Sequence, residues 1–175
     1  MKKIRLLVKT KSKKYPIIIG SNIINQINYL LRSNNIDFEK SLIVFDKNVP
    51  KKKLNIIKQK LKIKKNIIHI FNANEKNKNF KSINLILNKL FKFNFNRNDC
   101  IISLGGGITG DVSGFAASIY KRGIKFVNIP TTLLAQIDSS IGGKTGVNNK
   151  YGKNLIGSFM QPDIVLSDIS FLKSL

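Results

Sequence analysis

The chain alternates short apolar runs with segments whose apolar residues recur at helical spacing, and that alternation restricts it to a sheet with helices packed on it. Ile4, Leu6 and Val8 alternate with polar neighbours as in a half-buried strand, and Tyr15–Ile19 is a second short run. Ile23, Ile24, Ile27, Leu30 and Leu31 then repeat at helical spacing, with Ser21 or Asn22 placed to cap them. Ser41–Phe45 predicts a buried strand, and Pro50 opens a helix carrying Leu54, Ile57 and Leu61. Asn66–Phe71 predicts a strand, followed by a helix marked by Ile83, Ile86, Leu87 and Leu90. Cys100–Leu104 is a further strand that stops at Gly105-Gly106-Gly107; a helix runs on to about Tyr120, and the strand Lys125–Ile129 ends at Pro130. Strands alternating with helices pair in parallel with both faces covered, so the fold class is α/β, a parallel sheet with helices on both faces. No internal repeat or flexible linker divides the 175 residues, which suit one domain with one sizeable core.

Charge is the feature most open to misreading. The formal net charge is +22, but residues 1–100 carry 24 Lys/Arg against 5 Asp/Glu, whereas residues 101–175 carry 7 against 4. The excess is almost all Lys in company with Asn and Ile, three residues with A/T-rich codons, so compositional bias explains it without a polyanionic partner. Lys51-Lys52-Lys53 and Lys64-Lys65 flank helical segments, where charge runs form solvated faces. No aromatic stacking platform, zinc finger or basic-region heptad accompanies them, and nucleic-acid binding is the lesser alternative. No apolar run approaches the ~18 residues of a membrane span. The apolar stretch Ile4–Val8 is too short for a signal-peptide core, so the expected location is cytoplasmic. A lone Cys100 excludes an internal disulfide framework, and a lone His69 excludes a Cys/His zinc site. Cys100, at a strand start with no partner histidine, reads as buried and structural.

In parallel sheets ligands bind at the carboxyl ends of the strands, where the strand order reverses. The suggestive residues follow strands 41–45, 66–71, 100–104 and 125–129. Gly105, Gly107 and Gly110 satisfy G-x-G-x-x-G between a strand and a helix, the context in which backbone amides approach a diphosphate at a helix N-terminus. A tight strand-to-helix turn is an equal reading of the same glycines. The acidic residue that usually holds the ribose ~20 residues on is missing, since Arg122–Ile129 contains none. Downstream, Thr131-Thr132 ends a strand with two hydroxyls. Asp138-Ser139-Ser140 then meets Gly142-Gly143-Lys144-Thr145, followed by Gly152-Lys153-Asn154. Gly143-Lys144-Thr145 fails as a P-loop because Asp138 stands where the first glycine is needed. What remains is a Gly-flexed loop with two ammonium groups suited to phosphate or carboxylate, and Asp138 and Asn154 suited to hydroxyls.

The string SLGGGITGDVSGFAASIYKRG, continued by PTTLLAQIDSSIGGKTGVN and GKNLIGSFMQP, closely resembles the 3-dehydroquinate synthase family. Residues 101–175 match the family almost position for position, and residues 1–100 match it in layout. Near relatives that cyclise other sugar phosphates share the fold and much of the pattern. The resemblance implies that residues 1–175 form a Rossmann-like NAD-binding N-terminal domain, followed in the family by a helical domain with a catalytic zinc or cobalt. It implies that Asp46 and Asn48 sit near the adenosine ribose and that Glu75 and Lys78 supply the family's G-E-x-x-K element, with Asn74 in place of its glycine. Gly106, Gly107, Gly110 and Asp111 would hold the diphosphate and ribose. Thr131, Thr132, Lys153 and the run Phe171–Ser174 would contact the cofactor, Ser174 replacing a usual Thr. Asp138, Lys144 and Asn154 would face nicotinamide and substrate, with Lys144 on both. Arg122 would reach the substrate phosphate of a neighbouring subunit, which implies a homodimer.

The implied reaction converts 3-deoxy-D-arabino-heptulosonate 7-phosphate to 3-dehydroquinate and phosphate, with NAD regenerated in each cycle and a metal polarising the alcohol being oxidised. The family's metal ligands are a glutamate beyond Ser174 and two later histidines; His69 matches none of them, so no metal ligand is expected in this chain. Exposed apolar surface is expected where the helical domain would pack. Three origins stay open: a fragment of a longer enzyme, a subunit whose C-terminal half is a separate chain, or a decaying gene whose product binds NAD without catalysis. Activity of this chain alone is not expected.

Overall fold

A computed structural model describes residues 3–174, with side chains described as far as Leu172. Seven strands form one sheet: β1 (Ile4–Lys9), β2 (Lys14–Gly20), β3 (Lys40–Asp46), β4 (Lys65–Phe71), β5 (Cys100–Gly105), β6 (Lys125–Pro130) and β9 (Ile164–Asp168), in the order β1-β2-β9-β6-β5-β3-β4. Every pairing is parallel except β1 with β2, so the fold is α/β and Rossmann-like with one antiparallel edge. Two further strands, β7 (Lys144–Asn149) and β8 (Gly152–Phe159), form a separate antiparallel hairpin.

The strands are legible because their alternate residues serve opposite faces. Ile43 and Phe45 of β3, with Ile102 and Leu104 of β5, pack under α1 (Ile27–Arg32) and α2 (Lys51–Lys60). Leu42, Val44 and Ile101 pack under α3 (Phe80–Lys92) and α4 (Gly107–Ile119). A strand buried on both faces needs a near-continuous apolar run, which Cys100–Leu104 supplies with Ser103 as its one polar residue. No helix among the described residues is long and apolar enough to cross a membrane.

Three expectations change. The first helical segment splits into a 3-10 turn (Ile23–Gln26) and α1. Neither Ser21 nor Asn22 caps it by its side chain; the Asp168 carboxylate accepts the N–H groups of Asn22 at 2.8 Å and Ile24 at 3.1 Å. A carboxylate there also complements the positive end of the turn. The third change concerns residues 138–154, expected as a Gly-flexed loop after a helix start at Thr131-Thr132. They lie in one wide π-type turn (Ala135–Ser139) and in the β7–β8 hairpin that follows it, whose strands lie on α4.

His69 is buried on β4, on the face shared with Ile67 and Phe71. Burial, reinforced by the nearby Lys89 ammonium, lowers its pKa from 6.5 to about 4. The unfolded chain therefore takes up a proton first as pH falls. Stability from this site is complete above pH 6.5 and is lost as pH drops towards about 4. The loss is up to about 3 kcal/mol. Denaturant unfolding at a series of pH values should show this slope, and His69→Gln should flatten it.

Candidate functional site

The strand order reverses at β3: the chain steps outward to β4, then returns to the other side of β3 as β5. The crevice outside the carboxyl ends of β3 and β5 is therefore where a ligand fits. Asp46 closes β3 and Gly105 closes β5, and the two backbones lie close; a Cβ on Gly105 would stand 2.8 Å from Asp46 Cβ and 2.5 Å from Thr109 Oγ1. Asp46 Oδ1 accepts the N–H of exposed Asn48 at 3.0 Å, which turns the chain at the mouth of the crevice.

Next to Asp46, α4 begins at Gly107 with Gly106 as its N-cap, and no side chain caps it. Its first N–H groups thus face the crevice without a side-chain acceptor, an arrangement that favours an anion. A Cβ on Gly107 would come within 2.8 Å of Ser139 Oγ, so the turn leaves no room for larger residues. Beside it, Thr132 Oγ1 accepts the N–H of Ala135 at 3.2 Å, and buried Thr131 donates its N–H to the Gly105 carbonyl at 3.0 Å. This glycine cradle fits a dinucleotide diphosphate, and Asp46 stands close enough to the turn to serve as the acidic group missing further along the chain.

Lys78 lies at the centre of a polar cluster. It is buried, forms an ion pair with Asp111, and donates to Asn154 Oδ1 at 2.5 Å. Burial raises the Asp111 carboxyl above its ordinary 3.8; the hydrogen bond and charge of Lys78 oppose that rise, and nearby Glu75 adds to it. Glu75 accepts Asn148 Nδ2 at 2.7 Å and lies 4.0 Å from the Lys153 ammonium. Residues from three separate segments, the β4–α3 connection, α4 and the hairpin, thus converge on one spot.

A cavity of about 740 Å³ opens beside this cluster, lined among others by Asp111, Asp138, Ser139, Lys144, Asn154 and Phe159. Asp138 and Lys144 are exposed into it, and neither has an ion-pair partner among the described residues. One ammonium group (Lys144), two carboxylates (Asp111 and Asp138) and an amide (Asn154) can therefore meet a small polyhydroxylated anion in one cavity. Arg122 is not with them: it lies exposed beyond the far end of α4, about 20 Å from its start, with φ at 63°. Phe171 is buried in the apolar layer under α1 and α2, with the Lys53 ammonium 4.9 Å from its ring centre. The Ser174 side chain lies outside the described residues.

Sequence reasoning missed Asn148, Ser139 and Gln136. Gln136 Nε2 ties the ends of β6 and β9 together by donating to the carbonyls of Pro130 and Asp168, each at 3.1 Å. Only Ser139 had a signal, its place in Asp138-Ser139-Ser140. Among the described residues no three His, Cys, Asp or Glu are grouped to hold a metal ion, so these residues do not fit a zinc or cobalt site.

A family model described as 3-dehydroquinate synthase N-terminal matches residues 68–175. The 3-dehydroquinate synthase of Pelagibacter ubique (strain HTCC1062) is 64% identical over 175 residues, covering 98% of this chain and 47% of that protein. The chain spans about half the length of the curated relatives it matches. Among solved structures, 2-deoxy-scyllo-inosose synthase complexed with carbaglucose-6-phosphate, NAD+ and Co2+ superposes with a TM-score of 0.89 at 25% identity, over 96% of this chain and 46% of the other. The 2-epi-5-epi-valiolone synthase of Streptomyces hygroscopicus subsp. jinggangensis 5008, with NAD+ and Zn2+ bound, superposes with a TM-score of 0.80 at 28% identity, over 96% and 46%.

Proposed function

The chain belongs to the 3-dehydroquinate synthase family, and from that premise we propose that it is the NAD-binding half of an enzyme converting 3-deoxy-D-arabino-heptulosonate 7-phosphate to 3-dehydroquinate and phosphate. The convergence of Lys78, Asp111 and Asn154 beside the glycine turn supports this reading most directly. Gly106, Gly107 and Gly110 hold the diphosphate through backbone N–H groups at the start of α4. Asp46 and Asn48 take the adenosine ribose, and Glu75, Lys78, Asp111, Thr131, Thr132 and Lys153 complete the cofactor contacts. When bound, NAD supplies a hydride acceptor and donor.

The remaining work belongs to side chains in the cavity. Lys144 is a point charge that orients the substrate carboxylate or phosphate against the nicotinamide pocket. Asp138 and Asn154 accept and donate hydrogen bonds to ring hydroxyls, fixing which carbon faces the cofactor. Lys78 pairs with Asp111 and opposes the rise that burial imposes on its carboxyl, which favours an acceptor for a sugar hydroxyl. Arg122 reaches the substrate phosphate in a neighbouring copy, which makes the unit a homodimer. No metal site fits the described residues, and the reaction is completed by a helical half of the kind the family carries.

The likeness to solved cyclases of other sugar phosphates supports a second reading, a related cyclase. One experiment separates the possibilities. Thermal unfolding with NAD at about 100 times its Kd should raise Tm by roughly 5–10 °C. A folded chain with no shift would remove NAD binding and with it both readings. Mixed with a matching helical half, NAD and zinc, the chain should release phosphate from the heptulosonate phosphate and not from glucose 6-phosphate; the reverse preference establishes the second reading.

A further inference from the structure

The β7–β8 hairpin breaks its register at one place, and the break faces the polar cluster. Val147 pairs with Ile156, so regular pairing would put Asn149 opposite Asn154; Asn149 instead pairs with Gly152. β8 therefore carries two extra residues, and Lys153, Asn154 and Leu155 bow outward opposite the single residue Asn148. A bulge of this kind re-aims side chains and leaves backbone groups without ladder partners. Asn154 sits in it with φ at 56°, a conformation that needs outside support.

Asn148 supplies that support and anchors it by two further bonds to the β4–α3 connection. Its Oδ1 accepts the N–H of Asn154 at 2.9 Å, in place of the lost ladder bond. Its Nδ2 donates to Glu75 Oε1 at 2.7 Å. Its backbone N–H donates to the Lys78 carbonyl at 2.8 Å. One carboxamide thus pins the hairpin bulge to the connection that carries Glu75 and Lys78.

We propose that Asn148 is a positioning residue for the cofactor and substrate groups: it holds Asn154 in its left-handed conformation and fixes the separation of Asn154 from Glu75 and Lys78. The carboxamide is required because the site needs an acceptor on one side and a donor on the other. Leucine would match its volume and satisfy neither. The inference rests on the reading of Lys78, Glu75 and Asn154 as ligand contacts, but the bridge itself can be read without a ligand.

Two measurements on the full chain test it. In the first, amide hydrogen exchange at Asn154 is followed without cofactor. Asn148→Ala should speed it about tenfold, whereas Asn148→Asp, which keeps an acceptor oxygen, should leave it protected. In the second, NAD affinity is measured in a double-mutant cycle. Asn148→Asp sets a carboxylate against Glu75 and should weaken NAD about tenfold. On a Glu75→Gln background the same change should cost less than about threefold, because the introduced glutamine amide donates to the new carboxylate.

A residue that only stabilises the hairpin would show no such rescue. Unchanged exchange at Asn154 in Asn148→Ala overturns the proposal, whether or not NAD binds. An equal penalty for Asn148→Asp on both backgrounds overturns it as well. If the wild-type chain binds no NAD but the exchange effect is present, the bridge stands and the functional reading falls. Asn148→Asp is nearly isosteric, so the test survives if the alanine variant fails to fold.

Discussion

Lys78→Met is expected to weaken NAD binding by about a hundredfold, because the buried ammonium itself is lost together with the two hydrogen bonds by which it positions Asp111 and Asn154. Titration calorimetry on the wild-type and variant chains reads this directly. The same substitution removes both influences that lower the Asp111 pKa and leaves burial and Glu75, which raise it. The carboxyl midpoint, followed by carbon NMR, should therefore move further above 3.8. Folding then favours the protonated carboxyl. Stability from this group is full below pH 3.8 and is lost as pH rises through the raised midpoint, so the variant should lose more stability than the wild type on going to neutral pH. An unchanged NAD affinity with a displaced Asp111 midpoint would remove Lys78 from the cofactor site while keeping the ion pair.

Gly157→Ala should be the most damaging single methyl in the molecule. Gly157 pairs with Gly146 across the hairpin, and a Cβ at Gly157 would lie 2.0 Å from the Thr145 carbonyl oxygen and 2.8 Å from Gly146 Cα. Both neighbours are backbone, so no side chain can rotate away, and the strands must separate. Thr145 Oγ1, which bonds the Ser158 carbonyl at 2.9 Å, and Ser158 Oγ, which bonds Ser118 on α4 at 2.7 Å, would be displaced with them. The cost should be about 3–5 kcal/mol. Scanning calorimetry should then show Tm lower by roughly 10 °C. Because the hairpin carries Lys144 and Asn154, the ligand groups should loosen with it. A Tm within about 2 °C of wild type would contradict this backbone packing.

The parallel sheet was legible because its central strands are short and mostly apolar, as in Leu42–Phe45 and Cys100–Ile102, and alternate with longer segments of helical spacing. The hairpin was not. Its strands carry Gly146, Gly152 and Gly157 where alternating side chains would signal a strand, and those glycines serve backbone approach instead. β9 was missed because Ile164–Leu166 is only a three-residue apolar run after a glycine-rich stretch. The helix cap was invisible for another reason: Asp168 lies 146 residues from Asn22. At the site, the placement of candidates at strand ends followed from topology alone, and the roles of Glu75, Lys78 and Asp111 were named by resemblance. Asn148 carried no signal. In a chain crowded with asparagine, one more beside Asn149 looks like composition, and only the register break of the hairpin distinguishes it.

The strand order also sets a timetable for synthesis. β9 is the last made of these seven strands, yet it lies between β2 and β6 and holds the two parts of the sheet together. Until Asp168 has left the ribosome, the β1–β2 hairpin has no parallel neighbour, and the turn at Ile23–Gln26 lacks its carboxylate. Until β9 emerges, the nascent chain must therefore carry a half-built sheet with open edges at both β2 and β6. Such edges invite pairing with other chains, and closure across so long a loop is slow.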